Sequence, residues 1–577
     1  MSRDVGFLCW KQKNTWMEHM TGTRWSNMVK KENKLFKSEV KKVATESELT
    51  AKAHEFMLDN GSMFFSHKNI IIKYDGDYEW FYVNSKKMHN VVDIDVDNDL
   101  IYHIREIGHG AQKYRLECIK DNKVLWHKDN VGPQVCVRNG ICYVLGADVL
   151  WYNSVVAIDS KAKESVLYKE SSKQYNLSFV KGEDALFLLR DDSGKQELYI
   201  IESQSIYSIY SQGSHFFPIG YYKKKLCYLE YIKNVWYSVG FQLQPFTNEI
   251  EYFSLKYGVY ILRINGLKVI YNIKGENLFS FYGNIYTHPL NGPKFFIDFT
   301  DSGISEFSFE NAFSICSTPY CSVKREFAKS YDGTRVPYLL AKPFCQIKGL
   351  MVIAYGAYGV PTNLSTRRWK PYLRDGWMLC FAMVRGGGDV DRKWAFSAQT
   401  VNKVLSCEDL EACIINVQKK HKISPSKTCI YARSAGGYLI GMAVSRGSGL
   451  FKMVYTEVPY VDVLRTTSNP SLPLTPLEYN EFGNPARSIY EFQEILKLSP
   501  VDTIIKPPDL FVIIHTSDND SQVYAYESYK WLDSLGNTGK KLLYLNEKKG
   551  HFITGSDAYE NFSDDFFLLK SFRDVKT

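Results

Sequence analysis

The stretch Tyr431-Ala432-Arg433-Ser434-Ala435-Gly436-Gly437-Tyr438 constrains this chain more than any other. Before it, Lys427-Thr428-Cys429-Ile430 reads as a short strand. After it, Leu439-Ile440-Gly441-Met442-Ala443-Val444 reads as the first turns of an apolar helix. A serine held between strand and helix, among small residues, describes a nucleophile elbow. The turn is so sharp that its neighbours must be small for strand and helix to approach. It leaves the hydroxyl clear of the backbone, at the positive end of the helix. The first glycine of the usual Gly-x-Ser-x-Gly is here Ala432, one methyl group larger. A small-residue helix start with an incidental serine would look the same, so the partners of a nucleophile decide the reading.

A serine hydroxyl needs a base, and the base needs an orienting carboxylate. In α/β-hydrolases the order along the chain is serine, acid, histidine, with acid and base on loops after later strands. The apolar run Leu510 to Thr516 is followed by Ser517-Asp518-Asn519-Asp520, and Leu542 to Asn546 is followed by Lys548-Lys549-Gly550-His551. His551 is the only one of the 12 histidines that follows those acids. Position leaves Asp518 and Asp520 both open. An oxyanion would take the backbone N–H of Ala435 and a donor from an earlier loop, where Tyr355-Gly356-Ala357-Tyr358-Gly359 stands.

The remaining chain organises around this segment. With 577 residues, 45% hydrophobic and 23% charged, it is long enough for two large globular domains. Residues 1–58 carry apolar positions at three- and four-residue spacing and read as helical. Residues 59–317 are short β-rich runs between Asp/Asn/Gly turns, such as Ile70-Ile71-Ile72-Lys73-Tyr74 and Leu186-Phe187-Leu188-Leu189. They fit a β-propeller of about seven four-stranded blades. From 318 to 577 strands alternate with helices, the pattern of a mostly parallel sheet covered on both faces. The expected architecture is an α/β-hydrolase domain with an inserted all-β propeller. A net charge of +8 without a dense basic block argues against nucleic acid as a partner. The N-terminus lacks a signal-peptide core, and no apolar run approaches the ~20 residues of a bilayer span. The 12 cysteines are scattered without a Cys-x-x-Cys pair, which suits neither zinc nor disulfides. A reduced, cytoplasmic protein without metal or cofactor is expected, working as a monomer or homodimer.

The chain resembles the prolyl oligopeptidase family of serine peptidases, and its oligopeptidase B branch in particular. The resemblance rests on Tyr355-Gly356-Ala357-Tyr358-Gly359, Val384-Arg385-Gly386-Gly387-Gly388, Ser434-Ala435-Gly436-Gly437, Val458-Pro459-Tyr460-Val461-Asp462, Glu481-Phe482-Gly483-Asn484-Pro485 and Asp520-Ser521-Gln522-Val523. It implies a serine endopeptidase for short peptides, with Ser434, Asp520 and His551 as the triad and Tyr355 with Ala435 at the oxyanion. It implies substrate-side positions at Tyr358, Tyr460, Arg385, Glu478 and Asn480, and cleavage after Arg or Lys. Of the four carboxylates that such specificity usually employs, only Glu478 is present. Asn480, Asn363 and Ser365 stand at the other positions, so a weakened basic preference is expected. Phe552-Ile553 also replaces small residues after the histidine. A peptide-binding relative with feeble turnover and a serine hydrolase of another class are the alternatives.

Overall fold

In the computed structural model, side chains are described over residues 10–56, 88–209 and 321–575, short gaps apart, and strand backbone alone over much of the rest. The chain divides into two compact units. One holds Met1–Asp59, Gly283–Ile285 and Thr318–Thr577, the other Asn60–Tyr282 and Tyr286–Ser317.

The first unit is built on one eight-stranded sheet. Its spatial order is Cys321–Lys329, Arg335–Pro343, Trp377–Ala382, Gly349–Ile353, Thr428–Arg433, Met453–Glu457, Leu510–Ser517, Gly539–Asn546. The first two pairings are antiparallel and all later ones parallel. The inner strands are apolar throughout because both faces are covered. Alternation sorts their side chains between two cores. Leu350, Val352, Ile430 and Ala432 join the helices Val404–His421, Gly436–Arg446 and Ala525–Leu535. Met351, Ile353, Cys429 and Tyr431 face the other way, towards Phe36, Phe56, Tyr372 and Phe566. Each fully buried side chain of this size contributes about 1.5–3 kcal/mol. This is the α/β-hydrolase arrangement, as expected from the alternating strands and helices.

Residues 1–58 start with two short strands, Ser2–Asp4 and Cys9–Lys11, which the helical reading of this segment did not include. The helix Gly22–Val43 buries Trp25, Val29, Phe36 and Val40 along one stripe. Asn33 brackets the backbone of the outermost strand: its amide donates to Leu545 O at 3.0 Å, and Leu545 N–H donates to Asn33 Oδ1 at 2.8 Å. The exposed edge of the sheet is thereby partly satisfied.

The second unit is all-β in its described strands, as expected, but they do not divide into seven four-stranded blades. They form five sheets, of six, seven, four, three and four strands in chain order. The seven-stranded sheet exists because Lys123–Arg138 is a single 16-residue strand. Its first half pairs with Tyr114–Lys120 and its second with Ile141–Asp148. The second half curls back far enough for Val135 and Val137 N–H to donate to Asp93 and Asp95, both at 2.8 Å. Among the described residues no helix is long and apolar enough to cross a membrane.

Candidate active site

The elbow is a strained turn packed against its surroundings without spare room. Ser434 follows the buried strand Thr428–Arg433 and has φ of 53°, a left-handed conformation that costs a non-glycine residue roughly 1 kcal/mol or more. Three backbone bonds hold it there: Ser434 N–H donates to Glu457 O at 3.0 Å, and its carbonyl accepts from Gly437 N at 2.7 Å and Tyr460 N at 3.0 Å. A Cβ on Gly437 would lie 2.5 Å from Pro459 Cα, so only glycine fits. A Cβ on Gly436 would lie 2.9 Å from the Ala432 methyl. The departure at Ala432 is therefore accommodated: its methyl is fully buried in the space that glycine at 436 leaves open.

The three triad candidates are brought together. His551 Nε2 lies 2.9 Å from Ser434 Oγ, and His551 Nδ1 lies 2.7 Å from Asp520 Oδ2. The second carboxylate oxygen of Asp520 accepts from Gln522 N at 2.9 Å and Val523 N at 3.0 Å. A neutral imidazole with its proton on Nδ1 fits both partners, because ionised Asp520 only accepts. Asp518 is exposed, whereas Asp520 is buried. The acid and base loops are joined by Asn519 N–H donating to Lys549 O at 2.9 Å.

The Tyr355 phenol lies close enough to the Ser434 side chain to feel it electrostatically. Burial, with Glu481 adding to it, pushes the phenol up, so it stays protonated and able to donate. Ala435, just after the serine, is the N-cap of the helix Gly436–Arg446, where backbone N–H groups have no intrahelical partner. The next residue of the tyrosine loop is fixed from below. Lys403 Nζ donates to Gly356 O at 2.9 Å and pairs with Glu481, both side chains almost wholly buried. Sequence reading missed Lys403, whose partners lie 47 and 78 residues away.

Tyr358, Tyr460 and Glu478 also converge. Tyr358 donates its hydroxyl to Glu478 Oε1 at 2.8 Å, and its ring meets Phe482 edge-on at 5.4 Å. Tyr460 lies 4.9 Å from Phe482, with its buried hydroxyl unpartnered among the described residues. Glu478 sits on the helix Thr475–Phe482, and burial pushes its carboxyl up to about 7. Asn480 is two residues on along that helix and exposed. Arg385 is engaged from within the fold. Its buried guanidinium is occupied by Asp409, at 2.7 and 2.8 Å, and by Asp332 and Ser330, so it braces the loop beneath the site. Asn363 and Ser365 lie outside the described residues.

Residues 364–570 match the prolyl oligopeptidase family. A chicken protein named prolyl endopeptidase-like is 31% identical over 276 residues, which is 46% of this chain and 37% of that protein. A Moraxella lacunata protein named protease 2 is 31% identical over 211 residues, 35% of this chain and 30% of its own length. The match thus spans well under half of either relative. Among solved structures, oligopeptidase B from Leishmania major superposes with a TM-score of 0.79 at 16% identity, over 98% of this chain and 94% of that one. At that identity the likeness speaks for the fold. The matched segment bears out the resemblance read from the motifs: residues 364–570 of this chain are similar to the prolyl oligopeptidase family of serine peptidases.

Proposed function

We propose that this chain is a serine endopeptidase that hydrolyses short peptides through an acyl-enzyme. The hydrogen-bonded row Asp520, His551, Ser434, with the Tyr355 hydroxyl beside it, carries this reading. Ser434 Oγ attacks the scissile carbonyl carbon while its proton passes to His551 Nε2. The negative oxygen takes hydrogen bonds from the Tyr355 hydroxyl and the Ala435 N–H. The carbon–nitrogen bond breaks as His551 returns the proton to the leaving amine. Water then gives a proton to His551 and its oxygen to the acyl carbon, and Ser434 recovers its proton on release of the new carboxylate. Asp520 keeps the imidazole in the required tautomer and stabilises the imidazolium. In the same reading, residues 59–317 are a propeller in which the strand Lys123–Arg138 serves two blades.

The residue before the cleaved bond is read as Arg or Lys. A long aliphatic stem suits the rings of Tyr358, Tyr460 and Phe482, and its charge would meet Glu478. With a single buried carboxylate the preference is weakened. It should also depend on pH. Glu478 titrates at about 7 instead of its ordinary 4.5, mainly through burial, so it is largely neutral at pH 6 and largely charged at pH 8. A substrate cation binds the charged form. The ratio of kcat/KM for an arginine substrate over a norleucine one should therefore rise between about pH 6 and 8. In Glu478→Gln the ratio should be flat. The raised value has a second sign: Glu478 favours folding most below pH 4.5 and loses that contribution as pH passes about 7.

The deciding experiment is hydrolysis of fluorogenic peptides ending in Arg, Lys, Pro, Ala or Phe, with Ser434→Ala as control. Wild-type cleavage that falls at least about a thousandfold in Ser434→Ala supports the peptidase reading. Cleavage only after neutral residues would remove the basic preference and keep the mechanism. No cleavage of any peptide, and no labelling of Ser434 by a fluorophosphonate, would overturn the reading in favour of peptide binding without turnover.

A further inference from the structure

Arg433 is the last residue of the strand that ends at the nucleophile. Its guanidinium reaches across to the loop that carries the base and touches two consecutive residues there. Arg433 Nη2 donates to the carbonyl oxygen of His551. The guanidinium carbon also stands 4.5 Å from the centre of the Phe552 ring. That ring meets the His551 imidazole edge-on, with centres 5.1 Å apart and planes at 86°. Arg433, Phe552 and His551 thus form a closed set of contacts around the serine–histidine hydrogen bond.

The need for such a set follows from the loop. His551 lies between the strand Gly539–Asn546 and the helix Ser556–Asp574, in a connection that holds Lys548 in a left-handed conformation at φ of 56°. A long loop leaves the position of its imidazole soft unless something anchors it. The nucleophile is rigid, since the strand before it is buried on both faces. An error of an ångström between rigid serine and soft histidine is costly, because proton transfer needs hydrogen-bond contact. Arg433 is attached to the rigid side and grips the soft side. Phe552 is 54% exposed, so burial does not account for it. Its contacts with Arg433 and His551 do. A guanidinium is suited to the task because its planar fork can donate to a carbonyl while its face stacks on a ring.

We propose that Arg433 is a positioning residue that holds His551 against Ser434 by clamping the His551 carbonyl and the Phe552 ring. The proposal rests on the peptidase reading above. It gives the bulky residue after the histidine a purpose: Phe552 works through Arg433, and the ring loses its effect without the guanidinium.

The test is a double-mutant cycle on Arg433→Met and Phe552→Ala, with Arg433→Lys as the conservative variant. Each is measured for kcat, KM and thermal midpoint with the best substrate of the peptide panel. Arg433→Met should lower kcat about tenfold to a hundredfold with KM within about twofold. Phe552→Ala, an exposed change that leaves the midpoint unaltered, should lower kcat several-fold. The double variant should be no slower than Arg433→Met alone, since the ring has lost its partner. Arg433→Lys should recover part of the loss. Independent, multiplying effects, an unchanged kcat in Phe552→Ala, or losses confined to the thermal midpoint would overturn the positioning role. A wild-type enzyme whose activity survives Ser434→Ala would overturn the peptidase reading itself, and this inference with it.

Discussion

Replacing Asp520 by asparagine should lower kcat by about 10⁴-fold while leaving the fold and the serine in place. The reason lies in which oxygen does what. One carboxylate oxygen accepts the N–H groups of Gln522 and Val523, and the other faces His551 Nδ1. In Asp520→Asn the amide oxygen must stay with the two backbone donors, so the NH₂ group is forced towards the imidazole. Nδ1 then has to accept, which moves the ring proton to Nε2. Nε2 can no longer receive the serine proton, and the nucleophile is switched off. The measurement is kcat across pH 6 to 9 together with the rate of fluorophosphonate labelling. A loss below about tenfold in both would mean that the asparagine is not locked in this orientation and that Asp520 does not set the tautomer.

The second large effect is on stability. Lys403→Met should destabilise the protein by about 3–5 kcal/mol, because it strands the buried carboxylate of Glu481. Among the described residues, Glu481 then keeps the Gln399 side-chain amide at 3.1 Å. The double change Lys403→Met with Glu481→Leu removes both charges and should recover much of the loss. Urea midpoints of the wild type and the two variants check this. A shift under about 1 kcal/mol in Lys403→Met would show that water reaches the pair and that the site is wetter than its packing suggests.

What could be read from the sequence was local chemistry in strong context. The elbow was legible because glycines at 436 and 437, a preceding apolar strand and a following apolar helix all agree. His551 was legible because it is the only histidine after the acids. Choosing Asp520 over Asp518 needed the family resemblance, since burial and the accepting N–H groups of 522 and 523 are tertiary facts. Long-range pairing is where the sequence fell short. Arg385 stands in a glycine-rich motif and reads as a substrate contact, but Asp409 and Asp332 claim it from 24 and 53 residues away. Nothing local announces the Arg433 contact with Phe552. The helix Thr475–Phe482 is too short for a periodic signal, although Pro476 in its first turn marks the start. In the all-β unit, Gly132-Pro133 looks like a turn between strands. The chain instead runs through it as one bulged strand, with the register shifting between Val131 and Val135, and two expected sheets merge into one.

The Asn33 bracket on Leu545 sets a timetable for synthesis. The two residues are 512 positions apart. At about 5–20 residues per second, the helix that carries Asn33 leaves the ribosome roughly half a minute to two minutes before the strand it serves. During that interval Trp25, Phe36 and Val40 have no sheet to cover them. The first long helix of this chain therefore keeps an apolar stripe uncovered until translation is nearly finished, and slowing translation should lengthen its exposure in proportion.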